Sequence, residues 1–590
     1  HRHILIDPDP DPKESFKERQ RLFKLPRSSW ADYNAKLISK GGGVFERSAK
    51  TLKLTAQMQA LLGVKASSLT PADMIKALLK LPVDLIWFGG IGTYVKARTQ
   101  SHAEAGDRAN DAVRIDAEEL AVKVISEGAN LAVTQAGRVA YALSGGRINT
   151  DAIDNSAGVD TSDHEVNIKI LLDGCVARGK LRAGQRDRLL VQMTGDVAEL
   201  VLRDNRLQTL SLSLAEAMGP ELLDAQVRLI RHLEKSGRMN RRLAGLPDDE
   251  EIAERLAANR GLTRPEMAEL MAHGKIWMKD EVLNSRLPSD PALAGELLGC
   301  FPPVLVKRFS DAIFKHTLKR EMLATHVVNS MINRLGPTFP ILMMERTGAS
   351  AIDAATAYLA VRDGFDMRSL WDEVMGNESI PAAAQYAMLA ETNRLVERVA
   401  PGLLRSGQDL DLGKTSARLS KVAAVLKPQL SALLDDEARK PVEERVAGFM
   451  AKGAPEPLAR RVANLILLAA VSDVAAAAEI ARKPVLAVAK AYFWVGSRFS
   501  LGVFRRAAET LTGGSHWQRL ARHAVIEELH RCQRDLAVAV LRAGGMNAWL
   551  KANLAQASRI DALVAELKGQ EPVELAALAI LARQLRAALE

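Results

Sequence analysis

"VDLIWFGGIGT" (residues 83–93) sets a mostly apolar run directly against a cluster of glycines. Six such residues bounded by turn signals read as a buried strand. The glycines leave two readings open. They can form a plain tight turn, or they can let backbone N–H groups approach a flat or anionic ligand closely. The pattern is not the G-x-G-x-x-G fingerprint, because after Gly90 and Gly92 the third glycine position holds Val95.

The same strand-then-turn unit recurs on both sides. Upstream, "HILID" (3–7) reads as a strand ending on Asp7, followed by a short helix "SFKERQRLF" and then by the helical "PADMIKALLKL" (71–81), with Thr70 as N-cap and Pro71 in its first turn. Downstream, "AEELAVKVISEGAN" (117–130) passes from helix to strand and ends in Gly128 and Asn130. "TQAGRVAYAL" (134–143) is helical and "GRINT" (146–150) is strand-like. Strands alternating with helices predict an α/β parallel sheet covered on both faces. In such sheets, ligands sit beyond the carboxyl ends of strands. Asp7, Gly89–Gly92 and Gly128–Asn130 each occupy such an end. Asp7 stands where an acid can bond ribose hydroxyls, and equally where "DPDPDP" simply turns the chain. "INTDAIDNSAGVDTSDHEVN" (148–167) shows no hydrophobic period and reads as a loop leading into the helix "VNIKILLDG". Within it, Ser162 and Glu165 have the spacing of a capping box.

After about residue 180 the strand signals fade. Long helical periods follow, among them "RDRLLVQMTGDVAELVLRDN" and "LTRPEMAELMAHGKIWMKDEVL", the latter opened by a Thr263–Glu266 capping box. The division expected is a sheet-containing domain over 1–180 and a large all-α domain over 181–590. Apolar residues at 47% and charged residues at 26% fit a globular chain. The net charge of +9, spread over 590 residues, predicts solvated helix faces rather than a nucleic-acid surface. "NLILLAAVSDVAAAAEIA" is interrupted by Asp473 and reads as a buried helix, not a membrane span. Cys175, Cys300 and Cys532 are widely separated and odd in number, which fits a reducing, cytoplasmic setting. The histidines, His102 and His164 among them, form no metal-ligand spacing, so no metal is expected.

At this point the motifs resemble a family. "WFGGIGTYVKA", "GDRANDAVRI", "EGANLAVTQAGR", "NTDAIDNSAGVDTS" with "DHEVNIKI", and "GLTRPEMAELMAHGKIWMKDEVL" are similar to the C-terminal part of the large bacterial NAD-specific glutamate dehydrogenases. The resemblance implies a Rossmann-like sheet truncated on its N-terminal side, followed by a helical domain for assembly or regulation. It implies NAD as cofactor, L-glutamate and 2-oxoglutarate as substrate and product, and a homo-oligomer with neither nucleic acid nor membrane as partner. Gly89, Gly90 and Gly128 would pack at the dinucleotide, with Asp7 at its ribose. Asn130 would bond the ribose or nicotinamide side. Asn155 would reach the nicotinamide and substrate, and Ser162 a substrate carboxylate. In the second and third positions of the family's "NAGGV" motif this chain has Ser156 and Ala157.

No catalytic residue is assigned. The glycine fingerprint and the lysines that the resemblance leads one to seek are absent from these 590 residues, so the chain is expected to be an inactive portion of a longer enzyme. The competing expectation is a helical interaction or regulatory module carrying an inert, incomplete nucleotide fold.

Overall fold

The computed structural model describes residues 2–405, 410–511, 516–570 and 572–589; His1 lies outside them. Its N-terminal part holds eight short strands in four pairs. Strand β1 (His3–Ile6) runs antiparallel to β2 (Gly43–Glu46), and β3 (Leu52–Lys53) antiparallel to β4 (Ser68–Leu69). Strand β5 (Leu85–Phe88) is parallel to β8 (Val124–Glu127), and β6 (Val95–Lys96) is parallel to β7 (Ile115–Asp116). Parallel pairing is therefore present for the strands before Gly89 and Gly128, but in separate pairs rather than one continuous sheet. "HILID" does form a strand, yet its partner is antiparallel. "GRINT" contributes only a parallel bridge, Val124 to Arg147. The "AEEL" turn is a single 3-10 turn, Ala117–Glu119, instead of a helix.

The helices of this part follow their local signals. Helix α1 (Pro12–Lys24) starts at Asp11, whose carboxylate accepts from the N–H groups of Lys13 and Glu14. Helix α2 (Ala56–Leu62) ends at Gly63 in the left-handed conformation. Helix α3 (Pro71–Leu79) is capped by Thr70 and α4 (Gln135–Leu143) by Thr134, each hydroxyl accepting an N–H three residues on. Two small cores result. Ile4, Ile6, Leu52, Met58 and Met74 form one, and Phe88, Val95, Ile115, Ile125 and Val133 anchor the other.

One further core runs from Ile153 to Ala588 and holds the helical part together. It begins with α5 (Asp151–Asp154), α6 (Ser156–Ala177), α7 (Ala183–Gln192) and α8 (Thr194–Met218). Its most buried helix is Ala351–Gly364, in which small alanines let neighbouring helices approach on every side. Gly364 illustrates the fit: a Cβ there would lie 2.6 Å from Leu419 Cβ. In the helix Arg264–Leu283, Glu266 accepts from the N–H of Thr263 at 2.7 Å and from its hydroxyl at 2.6 Å, and forms a buried ion pair with Arg255. The apolar run near Asn464 is buried as two short helices, Leu465–Leu468 and Val471–Ala481. Among the described residues no single helix is long and apolar enough to cross a membrane.

Candidate functional site

Strands β5 and β8 end side by side. Phe88 is paired with Glu127, and the N–H of Gly128 donates to the Phe88 carbonyl at 2.8 Å. Gly89 and Gly128 are both small for the same reason, since the Trp87 indole lies against them. A Cβ on Gly128 would sit 2.7 Å from Trp87 Cζ2, and one on Gly89 3.1 Å from Cζ3. Gly90 faces open space. Gly92 is held by the next loop, where Asp107 Oδ2 accepts from the Thr93 N–H at 2.8 Å and from Asn110 Nδ2 at 2.7 Å. These bonds hold the Asp107 carboxyl below its ordinary range, the Asn110 contact most of all.

Beneath the strand ends lies a buried ion pair. Glu127 is fully buried and accepts from Arg138 Nε at 2.7 Å and Nη2 at 3.0 Å. Burial disfavours the Arg138 charge, but the Glu127 carboxylate outweighs this and raises the Arg138 pKa. Arg138 also reaches Asp151 at 3.1 Å. Asp151 Oδ2 in turn accepts from the N–H of Leu131 at 2.7 Å, and Asp154 Oδ2 from that of Glu127 at 3.0 Å. Leu131 is a non-glycine residue at φ +56°, and its bond to Asp151 helps hold this strained conformation beside Asn130.

Helix α5 is thereby clamped to the end of β8, and Asn155 Nδ2 donates to Asn130 Oδ1 at 3.1 Å. From the other side, Asn205 Nδ2 of α8 donates to the Ile153 carbonyl at 2.7 Å and to Ser156 Oγ at 3.1 Å. Gly89, Gly128, Asn130 and Asn155 thus lie together at the ends of β5 and β8, with Gly90 next to Gly89. The stretch read as a loop is helical almost from Asp151 onward, so Ser162 lies inside α6 and caps nothing. The reason is that α6 packs a polar face on α8, which leaves no apolar period to read before Ile168. Ser162 falls on an exposed stripe with Val159 and Val166, at positions i, i+3 and i+7. Asp7 is elsewhere, following β1. Its Oδ1 accepts from the Ser39 N–H at 3.0 Å, and its Oδ2 is buried with no hydrogen-bond partner.

One group escaped the sequence reading. On the face of α6 opposite Ser162, His164 Nε2 lies 3.8 Å from Asp160 Oδ1 and 3.9 Å from Asp204 Oδ2 of α8. His164, read as an isolated loop residue, is therefore clustered with two acids. The i,i+4 spacing of Asp160 and His164 was the available signal, and it has meaning only once the segment is known to be a helix.

A family model described as bacterial NAD-glutamate dehydrogenase, catalytic domain, matches residues 1–215, and one described as glutamate dehydrogenase, C-terminal, matches residues 259–587. Similar curated proteins are the NAD-specific glutamate dehydrogenases of Pseudomonas aeruginosa (42% identical over 99% of this chain and 37% of that protein) and Halomonas elongata (40% over 92% and 34%). That of Mycobacterium tuberculosis is 39% identical over 99% of this chain and 37% of its own length. The chain spans little more than a third of these relatives. With the C-terminal model alone covering more than half of its residues, the chain belongs to the glutamate dehydrogenase family which that model describes.

Proposed function

We propose that this chain forms one wall of the active site of an NAD-dependent glutamate dehydrogenase, which oxidatively deaminates L-glutamate to 2-oxoglutarate and ammonia. The observation that carries the reading is the junction of Asn130 and Asn155 at the paired carboxyl ends of β5 and β8. That is where an open parallel sheet receives a ligand. We read the β5–β8 pair with its flanking helices as part of a Rossmann-like cofactor domain over residues 1–180, and residues 181–590 as the assembly or regulatory part of a cytoplasmic homo-oligomer.

The residues fit a dinucleotide. Gly90 leaves open space beside the strand end, and two carboxamides stand ready to pair with a nicotinamide amide or a ribose hydroxyl. We also assign the ribose hydroxyls to Asp7, which lies away from this junction and has one buried, unpaired carboxylate oxygen. When bound, NAD accepts the hydride leaving the substrate α-carbon. This chain's own contribution is to orient the reactants. Asn130 and Asn155 fix the amide side of the site, and the clamp from Glu127 through Arg138 to Asp151 holds both in register. Ser162, exposed on α6 at about two turns from Asn155, offers a hydroxyl donor to a substrate carboxylate. Trp87, Leu131 and Val159 are each more than half exposed around this face. The relatives are far longer than this chain, and we take this apolar rim to meet the part of the enzyme that supplies the remaining catalytic groups.

The test is a steady-state assay of the complete enzyme carrying Asn155→Ala. A large fall in kcat/KM for both NAD and glutamate, with the fold intact by circular dichroism, is the expected result. Unchanged kinetics would remove this site from the reaction and leave the inert-module reading.

A further inference from the structure

Between α6, α8, the 3-10 segment Pro291–Cys300 and the helix Lys319–Leu335 lies a cavity of about 520 Å³. Asp160, His164 and Asp204 line one part of it. One ligand atom from each lies within 4.8 Å of the others. The separations from His164, 3.8 and 3.9 Å, are too long for hydrogen bonds. Three ligand atoms thus face a common gap without closing it. Ion-to-ligand bonds of about 2.0–2.2 Å to nitrogen and oxygen would bridge that gap after small side-chain rotations.

Two independent features of the cavity point the same way. Asn333 is only 3% exposed, lines the cavity, and has a buried Oδ1 with no hydrogen-bond partner. Asn167 lines it too, one helical turn beyond His164. Its Nδ2 donates to the Asp163 carbonyl at 2.9 Å, but its Oδ1 is buried and unpartnered. A buried carbonyl oxygen left without a donor needs a partner, either an ordered water or a bound ligand. The nearby cations do not fill the gap. Arg203 takes the other oxygen of Asp204, Oδ1, at 3.2 Å, and Lys275 Nζ donates to Gln208 at 3.3 Å.

We propose that Asp160, His164 and Asp204 bind one divalent transition-metal ion that ties α6 to α8. Imidazole and carboxylate donors without thiolate suit zinc or manganese rather than a soft ion. The remaining coordination positions open into the cavity and take water. The ion would brace the helix that carries Asn155 and Ser162 from its opposite face, outside the dinucleotide and substrate contacts.

The experiment uses the whole 590-residue chain, stripped with a chelator and titrated by calorimetry with ZnCl2, MnCl2 and CoCl2. One ion per chain is expected, with a rise in melting temperature. His164→Ala and Asp204→Asn should each weaken binding at least tenfold, whereas Cys300→Ser should not. The cobalt form should lack a thiolate-to-metal charge-transfer band. Asp204→Asn keeps side-chain volume, and the wild-type cobalt spectrum needs no variant, so a misfolded His164→Ala protein leaves the test intact. No binding at millimolar ion, unchanged binding in the folded variants, or a charge-transfer band abolished by Cys300→Ser would overturn the proposal. The last result would move the ion to the Cys300–His326 pair in the same cavity.

Discussion

Asn155 Nδ2 and Asn130 Oδ1 are joined at 3.1 Å across 25 residues of sequence, and this one bond brings two separate motifs to the same strand ends. Each side chain keeps further donor and acceptor capacity for a ligand. Asn130→Ala and Asn155→Ala should each raise the KM for NAD in the complete enzyme by roughly three- to tenfold, the worth of about 0.5–1.5 kcal/mol for a neutral hydrogen bond. The double variant should fall short of the product of the two, because the residues share partners. A loss of thermal stability with no change in KM would show that the pair only braces the loop.

Ser162 is exposed in the interior of α6, so its replacement should not destabilise the protein. Ser162→Ala should gain about 0.5 kcal/mol in urea denaturation from helix propensity, whereas a lost cap would cost about 1 kcal/mol. In the complete enzyme the same change should raise the KM for glutamate about ten- to a hundredfold, the worth of a hydrogen bond to a charged group. Ser162→Asp should abolish most glutamate affinity while NAD binding persists. An unchanged KM in both variants would take Ser162 out of the substrate site.

Asp7 has one oxygen committed to the Ser39 N–H and one unpaired. If the unpaired oxygen faces the ribose, Asp7→Ser should narrow the preference for NAD over NADP by about 1–2 kcal/mol, the scale of a screened charge repulsion. The ratio of kcat/KM values for the two cofactors measures it. A constant ratio together with lower stability would leave Asp7 as a turn residue.

Glu296, His326 and Arg368 line the cavity and form an ion-pair knot with the buried Arg362. Burial works against the charge on Glu296, but His326, Arg362 and Arg368 outweigh it and bring the carboxyl down to about 2. Burial also opposes charge on His326, yet its contacts with Cys300 and Glu296 raise it to about 9. A depressed carboxyl contributes stability above its unfolded value near 4.5 and loses it as pH falls towards 2. A raised histidine contributes below its unfolded value near 6.5 and loses it as pH rises through 9. The knot should therefore be fully effective between about pH 4.5 and 6.5. Both shifts express the same pair, so together they are worth up to roughly 3 kcal/mol. Urea midpoints of wild type and His326→Gln, compared from pH 6 to 9.5, should converge as pH rises. A constant gap would sink the assignment.

Gly364 admits the helix Leu412–Leu426 at close range, since a Cβ would meet Leu419 Cβ at 2.6 Å and the Ser416 carbonyl at 3.3 Å. Gly364→Ala should cost about 1–3 kcal/mol through overpacking, despite the better helix propensity of alanine. A thermal melt at or above that of wild type would mean that the two helices separate easily.

What the sequence determined by itself were the features fixed by neighbouring residues. Thr70 with Pro71, and Thr134, mark helix starts because a side-chain oxygen reaches an N–H only three residues away. The apolar run of β5 and the strand before Gly128 were legible from hydrophobicity and glycine placement, and the motif stretches carried the family resemblance. The tertiary structure alone decided that β1 pairs antiparallel with β2, since pairing direction depends on contacts some forty residues apart. It also decided that the polar run from Asp151 to Asn167 is helical. One face of α6 is held by Asn205 and set against α8, while the other is exposed, so no apolar period announced the helix. The meeting of Asn130 with Asn155, and of Asp160 and His164 with Asp204, follows from that packing. These residues are distant in sequence, and only the burial of the surrounding core holds them together against the entropy of the chain.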